Sequence, residues 1–295
     1  MMELCLGTVQ FGKNYGINNQ DGQPPLAKSL DMLRYATEHG INLLDTAAAY
    51  DEAEMVVGCF LQQTQQDVHL ISKLRPDCLE GNRCTIEDTI RNELKQTLEK
   101  LHVNSIYGYL LHNAEHLYMD EVIAALKQLK KEGLIRHYGV SIYQIADGLA
   151  GIEKGCTIIQ VPFSVFDQRA KNQGLLEQAI KNGVEIHTRS AFLQGLLMMD
   201  TDRIPEYLKK IRPYVEKLNA ICEKYGVEKK DLLIGFVKQT SGISRLVFGV
   251  DNLVQLKEFV DIFNRVSIRE QIMQELNDSF EKIEENLILP NKWGK

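Results

Sequence analysis

Four side chains have the types and order needed to hand a proton to a carbonyl oxygen. Asp45 opens the segment Asp45-Thr46-Ala47-Ala48-Ala49-Tyr50, Lys73 lies 23 residues after Tyr50, and His112 lies 39 after Lys73. A phenol has an unperturbed pKa of about 10, which is high for acid catalysis near neutrality. An ammonium group beside it favours the phenolate and lowers that value, and Lys73 is the candidate. Asp45 would keep Lys73 charged and oriented, and His112 would donate to a substrate oxygen. Such a set suits protonation of a carbonyl oxygen while a hydride arrives at the carbon.

These residues need a frame that brings them to one place. Short Val/Ile/Leu-rich runs alternate with longer helical patterns, which argues for βα units and a parallel sheet. Eight strands are expected at residues 3–8, 41–45, 68–73, 106–112, 136–141, 157–161, 184–189 and 244–249. Helical patterns occupy residues 26–39, 85–101, 120–132, 143–153, 172–181, 205–225 and 251–263, with one more helix and a tail over 267–295. Thr85, with Asp88 three residues on, forms a capping box for the second of these. Eight such units suit an α/β fold of one closed (β/α)8 TIM barrel, with the additional C-terminal helix and tail, as one domain over 1–295. Closure leaves no sheet edge to protect, and the active site of such barrels lies at the C-terminal ends of the strands.

The expected strand ends are polar on six successive strands: Asp45, Lys73, His112, Ser141, Gln160 and Arg189. A barrel interior wants aliphatic side chains, so packing alone does not account for the ring. Several chemistries are excluded. No GxGxxG follows a strand, and no Walker loop is present. No His-x-His sits on an early strand, as zinc hydrolases would have. His112 and His116 fall in a strand end and its loop rather than on a helix, so no metal is expected there. Neither three successive strand-end carboxylates nor a paired-carboxylate glycosidase arrangement is found.

Composition narrows the partners. The chain of 295 residues has a net charge of −6, with 44% hydrophobic and 25% charged residues, ordinary for a globular chain. No basic field exists to collect nucleic acid or an anionic membrane, and no apolar run approaches a membrane span. The start lacks a signal-peptide pattern, so a cytoplasmic location is expected. Cys5, Cys59, Cys78, Cys84, Cys156 and Cys222 form no CxxC pair and read as small hydrophobes or idle thiols.

The sequence resembles the aldo-keto reductase family along essentially its whole length. The segments that carry the likeness are LGTVQFG, DTAAAYDEAE, ISKL with Lys73, YLLHN around His112, GVSIY, IIQVPFSVFDQR around Gln160, RSAFLQGLL and FGVDNLVQL. The resemblance implies NAD(P)H-dependent reduction of an aldehyde or ketone, with Tyr50 as general acid. It further implies a nicotinamide cofactor, NADPH or NADH, lying extended across the barrel mouth. Ser141 and Gln160 would hold the carboxamide. Arg189 stands where many members stack a tyrosine, and Ser190, Phe192 and Gln194 would line the pyrophosphate. Thr8, Asp45, Gly249 and Gln255 complete the expected cofactor contacts. Ile142 replaces an asparagine common after the serine. No lysine or arginine lies between Gly249 and Gln255 to clamp a 2′-phosphate, so selection for NADPH is expected to be weak; Lys257 reads as a solvated helix residue.

Two other readings fit the same residues: a non-catalytic nicotinamide-binding regulatory subunit, and a Schiff-base lyase or aldolase using Lys73. Asp45 argues against the second, because it would keep the amine protonated. Phe11, Tyr15, Phe163 and Trp293 are the aromatic candidates for a substrate pocket, and the short loop 113–119 suggests an open mouth. The opening TVQFGKNYG resembles bacterial members whose neighbours handle sugars, so a sugar-derived carbonyl is a candidate substrate.

Overall fold

Eight strands close on one another in chain order. The computed structural model describes residues 2–19, 21–81 and 85–293. Its strands are β1 (Glu3–Gly7), β2 (Leu43–Asp45), β3 (His69–Leu74), β4 (Ile106–Leu111), β5 (Ile135–Ser141), β6 (Ile158–Pro162), β7 (Glu185–Arg189) and β8 (Arg245–Phe248). All pairs are parallel, and β8 returns to β1 with Leu246 opposite Leu4, so the barrel is closed. Parallel neighbours need long crossovers, and the helices supply them, beginning with Leu26–Glu38 between β1 and β2. The expected (β/α)8 barrel is the one the chain forms.

Two helices of the barrel are absent from the sequence reading: Ala53–Leu61 and Lys229–Gln239. Each is buried over most of its circumference, the first at Ala53, Glu54, Val56, Val57, Gly58 and Phe60, the second from Leu232 to Val237. A helix without a broad solvated face shows little 3.6-residue alternation of polarity. Residues 205–225 are not one helix either. A 3-10 stretch, Glu206–Ile211, precedes the helix Arg212–Tyr225, which carries Pro213 in its first turn. The missing N–H of a proline is tolerated there and nowhere deeper. The tail contains the helix Glu270–Ser279 and two short helical turns, Glu285–Ile288 and Pro290–Lys292. Thr85 does cap its helix, accepting from Asp88 N–H at 3.1 Å.

The apolar side chains divide into two groups. A small one, Cys5, Leu43, Ile71, Leu110, Ile158 and Val247, fills the barrel interior. A larger one lies between the strands and their helices. Strand side chains alternate with period two, so the residue two positions after each interior residue points to the same face. Those residues are Gly7, Asp45, Lys73, His112, Gln160 and Gly249. The plug thus sets the site: the polar groups sit one layer above it, and β1 and β8 contribute glycines. Cys5, Cys59, Cys156 and Cys222 are free thiols; Cys84 lies outside the described residues.

Candidate active site

Lys73 is the centre of the polar layer. It is wholly buried at the end of β3, and its Nζ donates to Asp45 Oδ1 at 2.6 Å and to the Thr46 carbonyl at 2.8 Å. It also reaches the Tyr50 hydroxyl at 3.4 Å. The other carboxylate oxygen, Asp45 Oδ2, accepts from Gln160 Nε2 at 2.7 Å. Ser141 Oγ donates to Gln160 Oε1 at 3.4 Å. A line of hydrogen bonds therefore runs Ser141, Gln160, Asp45, Lys73, Tyr50. Thr8 fastens the end of β1 to this layer, its Oγ donating to the Asp45 carbonyl at 3.0 Å.

Tyr50 stands on a tight turn. Its N–H donates to the Ala47 carbonyl at 3.0 Å, and its carbonyl accepts from Ala53 N–H at 3.0 Å, where the helix Ala53–Leu61 begins. Lys13 Nζ ties the same turn through the Ala49 carbonyl at 2.7 Å. Gly12 packs directly against it: a Cβ at that position would lie 1.7 Å from the Tyr50 carbonyl oxygen. The close approach of the two backbones requires glycine.

The electrostatics differ from the simple expectation that Lys73 brings the phenol down. Burial raises the Tyr50 pKa more than Lys73 lowers it, Asp45 pushes it further up, and the net direction is upward. The phenol is thus held protonated. Burial, the largest single effect, pulls the Lys73 ammonium down, but Asp45 and Tyr50 together outweigh it, so the net direction is up and the amine stays charged. His112 follows β4 and meets the Tyr50 ring edge-on, with centroids 5.8 Å apart. Burial, then Lys73, Arg189 and Lys13, lower its pKa to about 3. The imidazole is neutral at physiological pH, and its Nδ1 is buried without a hydrogen-bond partner.

A cleft of about 350 Å³ opens beside Tyr50. Thr8, Asp45, Gln160, Arg189, Ser190, Phe192, Gln194, Gly249 and Gln255 line it with Tyr50. Ser141, Lys73 and His112 are not part of its wall and connect to it through Gln160 and Tyr50. Arg189 Nη2 donates to the Ile142 carbonyl at 3.1 Å, and its guanidinium lies 4.4 Å from the Tyr143 ring centroid. Ile142 itself is buried under the helix Ile145–Glu153, against Gly148, rather than facing the cleft. After β7 the backbone turns through left-handed residues at Ser190, Leu193, Gln194 and Gly195. Non-glycine residues in that region carry strain; the turn is closed by its own hydrogen bonds, Leu193 N–H to the Ser190 carbonyl at 2.8 Å and Gly195 N–H to the Phe192 carbonyl at 3.0 Å.

Of the aromatic candidates, Tyr15 lines the cleft and accepts from Gln194 Nε2 at 3.1 Å. Phe11 and Phe163 are buried in the core. Trp293 donates to the Leu287 carbonyl at 3.1 Å and packs on the core. Gln10, Asp251, Glu258 and Phe259, which no sequence motif singles out, also stand in the cleft wall. Asp251 lies within FGVDNLVQL, a carboxylate in a stretch without lysine or arginine.

The model of the aldo/keto reductase family matches residues 3–281. An uncharacterised oxidoreductase of Bacillus subtilis, YqkF, is 27% identical over 84% of this chain and 86% of its own length. The NADH-specific methylglyoxal reductase of Escherichia coli is 24% identical over 80% of this chain and 82% of its own. The holo form of the aldo-keto reductase AKR11C1 of Bacillus halodurans superposes with a TM-score of 0.76, at 21% identity, over 98% of this chain and 95% of that one. With the match spanning β1 to the helix Glu270–Ser279, the chain belongs to the aldo/keto reductase family of NAD(P)-dependent oxidoreductases.

Proposed function

We propose that the protein reduces an aldehyde or ketone to an alcohol, with Tyr50 as the proton donor. The observation that carries this reading is the line Gln160–Asp45–Lys73–Tyr50, which ends at a hydroxyl in the wall of the cleft. The cleft suits a nicotinamide dinucleotide. The turn from Ser190 to Gly195 puts the polar side chains of Ser190 and Gln194 in the cleft wall, where they suit a pyrophosphate. Gln10 Oε1, buried and without a partner, offers an acceptor for a hydroxyl. Thr8, Gln160, Arg189, Ser190, Phe192, Gln194 and Gln255 would hold the group, which supplies the hydride when bound.

The protein's own residues do the rest. Tyr50 gives its phenolic proton to the carbonyl oxygen as negative charge builds there. Lys73, charged and 3.4 Å away, stabilises the phenolate left behind. Asp45 keeps Lys73 charged, and Gln160 holds Asp45 in place. His112, neutral, can offer an N–H to the carbonyl oxygen without taking its proton. A Schiff base at Lys73 is disfavoured because the amine is held protonated by Asp45 at 2.6 Å.

The test is a panel of aldehydes, ketones and sugars with NADH and NADPH, followed at the nicotinamide absorbance. Cofactor oxidation that requires the carbonyl supports the proposal. Binding of the dinucleotide with no turnover of any carbonyl favours the regulatory-subunit reading. Borohydride trapping of a carbonyl substrate on Lys73 would favour the lyase.

A further inference from the structure

The part of the cleft wall that follows β8 carries carboxylates, and Lys230 lines the same cleft. Asp251 and Glu258 line it beside Gly249, Gln255 and Phe259. Glu258 is paired with Lys230 at 2.5 Å, so those charges offset each other. Asp251 is different. The groups acting on its half-buried carboxylate are the Gln255 and Gln10 side chains, which hydrogen-bond to it, and Asp21, which repels it; no cation is among them. Gln255 fixes it from both sides, accepting from Asp251 N–H at 2.9 Å and donating to Oδ2 at 3.3 Å. Asn252 caps the helix Leu253–Arg265 through Gln255 N–H at 3.0 Å, and its amide donates to Asp21 at 3.1 Å. Lys257 lies over the Tyr35 ring, 5.3 Å from its centroid, and is not part of the cleft wall.

A second observation concerns Gln10, which is 8% exposed. Its amide lies on Gly249, where a Cβ would come within 2.4 Å of Oε1. That oxygen has no hydrogen-bond partner. The unsatisfied group in this part of the wall is therefore an acceptor next to an unpaired carboxylate.

We propose that Asp251, with Gln10, makes this cleft select NADH against NADPH. The inference rests on the reading of the cleft as a dinucleotide site. With the reacting group at Tyr50, the Gly249–Phe259 part of the wall is left for the adenosine ribose. NADPH differs there by a phosphate monoester, which brings close to two negative charges and only acceptor oxygens at neutral pH. A ribose hydroxyl can donate to Asp251 or to Gln10 Oε1; a phosphate meets repulsion from the first and no donor from the second. An acceptor pair and a fixed anion thus do more than the mere lack of a basic clamp.

The experiment is calorimetric titration of the protein with NADH and with NADPH, at low salt and at about 0.5 M salt, where exposed charges are largely screened. NADH should bind tighter by on the order of tenfold or more at low salt, and added salt should narrow the gap. Asp251→Asn, which removes the charge and keeps an acceptor for Gln255, should narrow it as well; Asp251→Arg should invert it. Equal or tighter binding of NADPH by the unaltered protein overturns the inference, as does an unchanged ratio in both variants. Binding of neither dinucleotide overturns the dinucleotide reading itself, and this inference with it.

Discussion

Gln160 Nε2 donates to Asp45 Oδ2 at 2.7 Å, joining residues 115 positions apart. The bond occupies the carboxylate oxygen that Lys73 leaves open, and Ser141 takes up the Gln160 carbonyl. Asp45 is thereby held on both oxygens, and the orientation of Lys73 toward Tyr50 follows from it. A buried ion pair needs such satisfaction, since its Coulombic gain is set against desolvation of both charges.

The Asp45–Lys73 pair is more costly to break on one side than on both. Lys73→Met should destabilise the protein by about 3–5 kcal/mol, because a buried carboxylate is left without its counter-ion. Asp45→Asn combined with Lys73→Met should recover much of that loss in denaturant unfolding. Activity should stay low in both, because the phenolate left at Tyr50 has lost its ammonium. Recovery of turnover together with stability would contradict the role given to Lys73.

His112 gives the fold a pH dependence. Its pKa falls from an ordinary 6.5 to about 3 in the folded chain. Between those values the unfolded chain binds a proton that the folded one does not. Stability from this group is therefore intact above pH 6.5 and declines as pH falls toward 3, by up to about 4 kcal/mol. His112→Gln should flatten the decline between pH 6 and pH 4 in denaturant midpoints, where histidine ordinarily titrates. An equally steep decline in the variant would place its origin elsewhere.

Gly12→Ala probes the positioning of Tyr50 without touching the polar layer. The new Cβ would fall 1.7 Å from the Tyr50 carbonyl, so the turn must shift. A misplacement near 1 Å can cost about a hundredfold in rate. Turnover with a good carbonyl substrate should drop by that order, with the largest part in kcat. Unchanged kinetics would show that the turn carrying Tyr50 has slack the backbone packing does not suggest.

The barrel and its polar layer were readable because both depend on alternation along single strands. Asp45, Lys73, His112 and Gln160 each follow an interior aliphatic residue by two positions, a purely local pattern. The pairing of Gln160 with Asp45 was not readable, since β6 and β2 meet only through barrel closure; from sequence, Gln160 read as a cofactor contact alone. The helices Ala53–Leu61 and Lys229–Gln239 escaped for the reason already given, the lack of a solvated face. The upward direction of the Tyr50 pKa escaped too, because burial outweighs Lys73 and burial is a property of the folded molecule.

Single-turnover hydride transfer in Tyr50→Phe tests the central claim most directly. The substitution removes one phenolic oxygen and leaves the ring that contacts Lys73 and His112. The bound dinucleotide is mixed with carbonyl substrate in a stopped-flow instrument, and its oxidation is followed in both proteins. General acid catalysis is worth about 10²–10⁴-fold. The rate should fall by that factor while dinucleotide affinity stays within about threefold. A Tyr50→Phe protein that oxidises its bound dinucleotide at nearly the unaltered rate, with a deuteride isotope effect showing that chemistry is being watched, would contradict the assignment of Tyr50 as the acid.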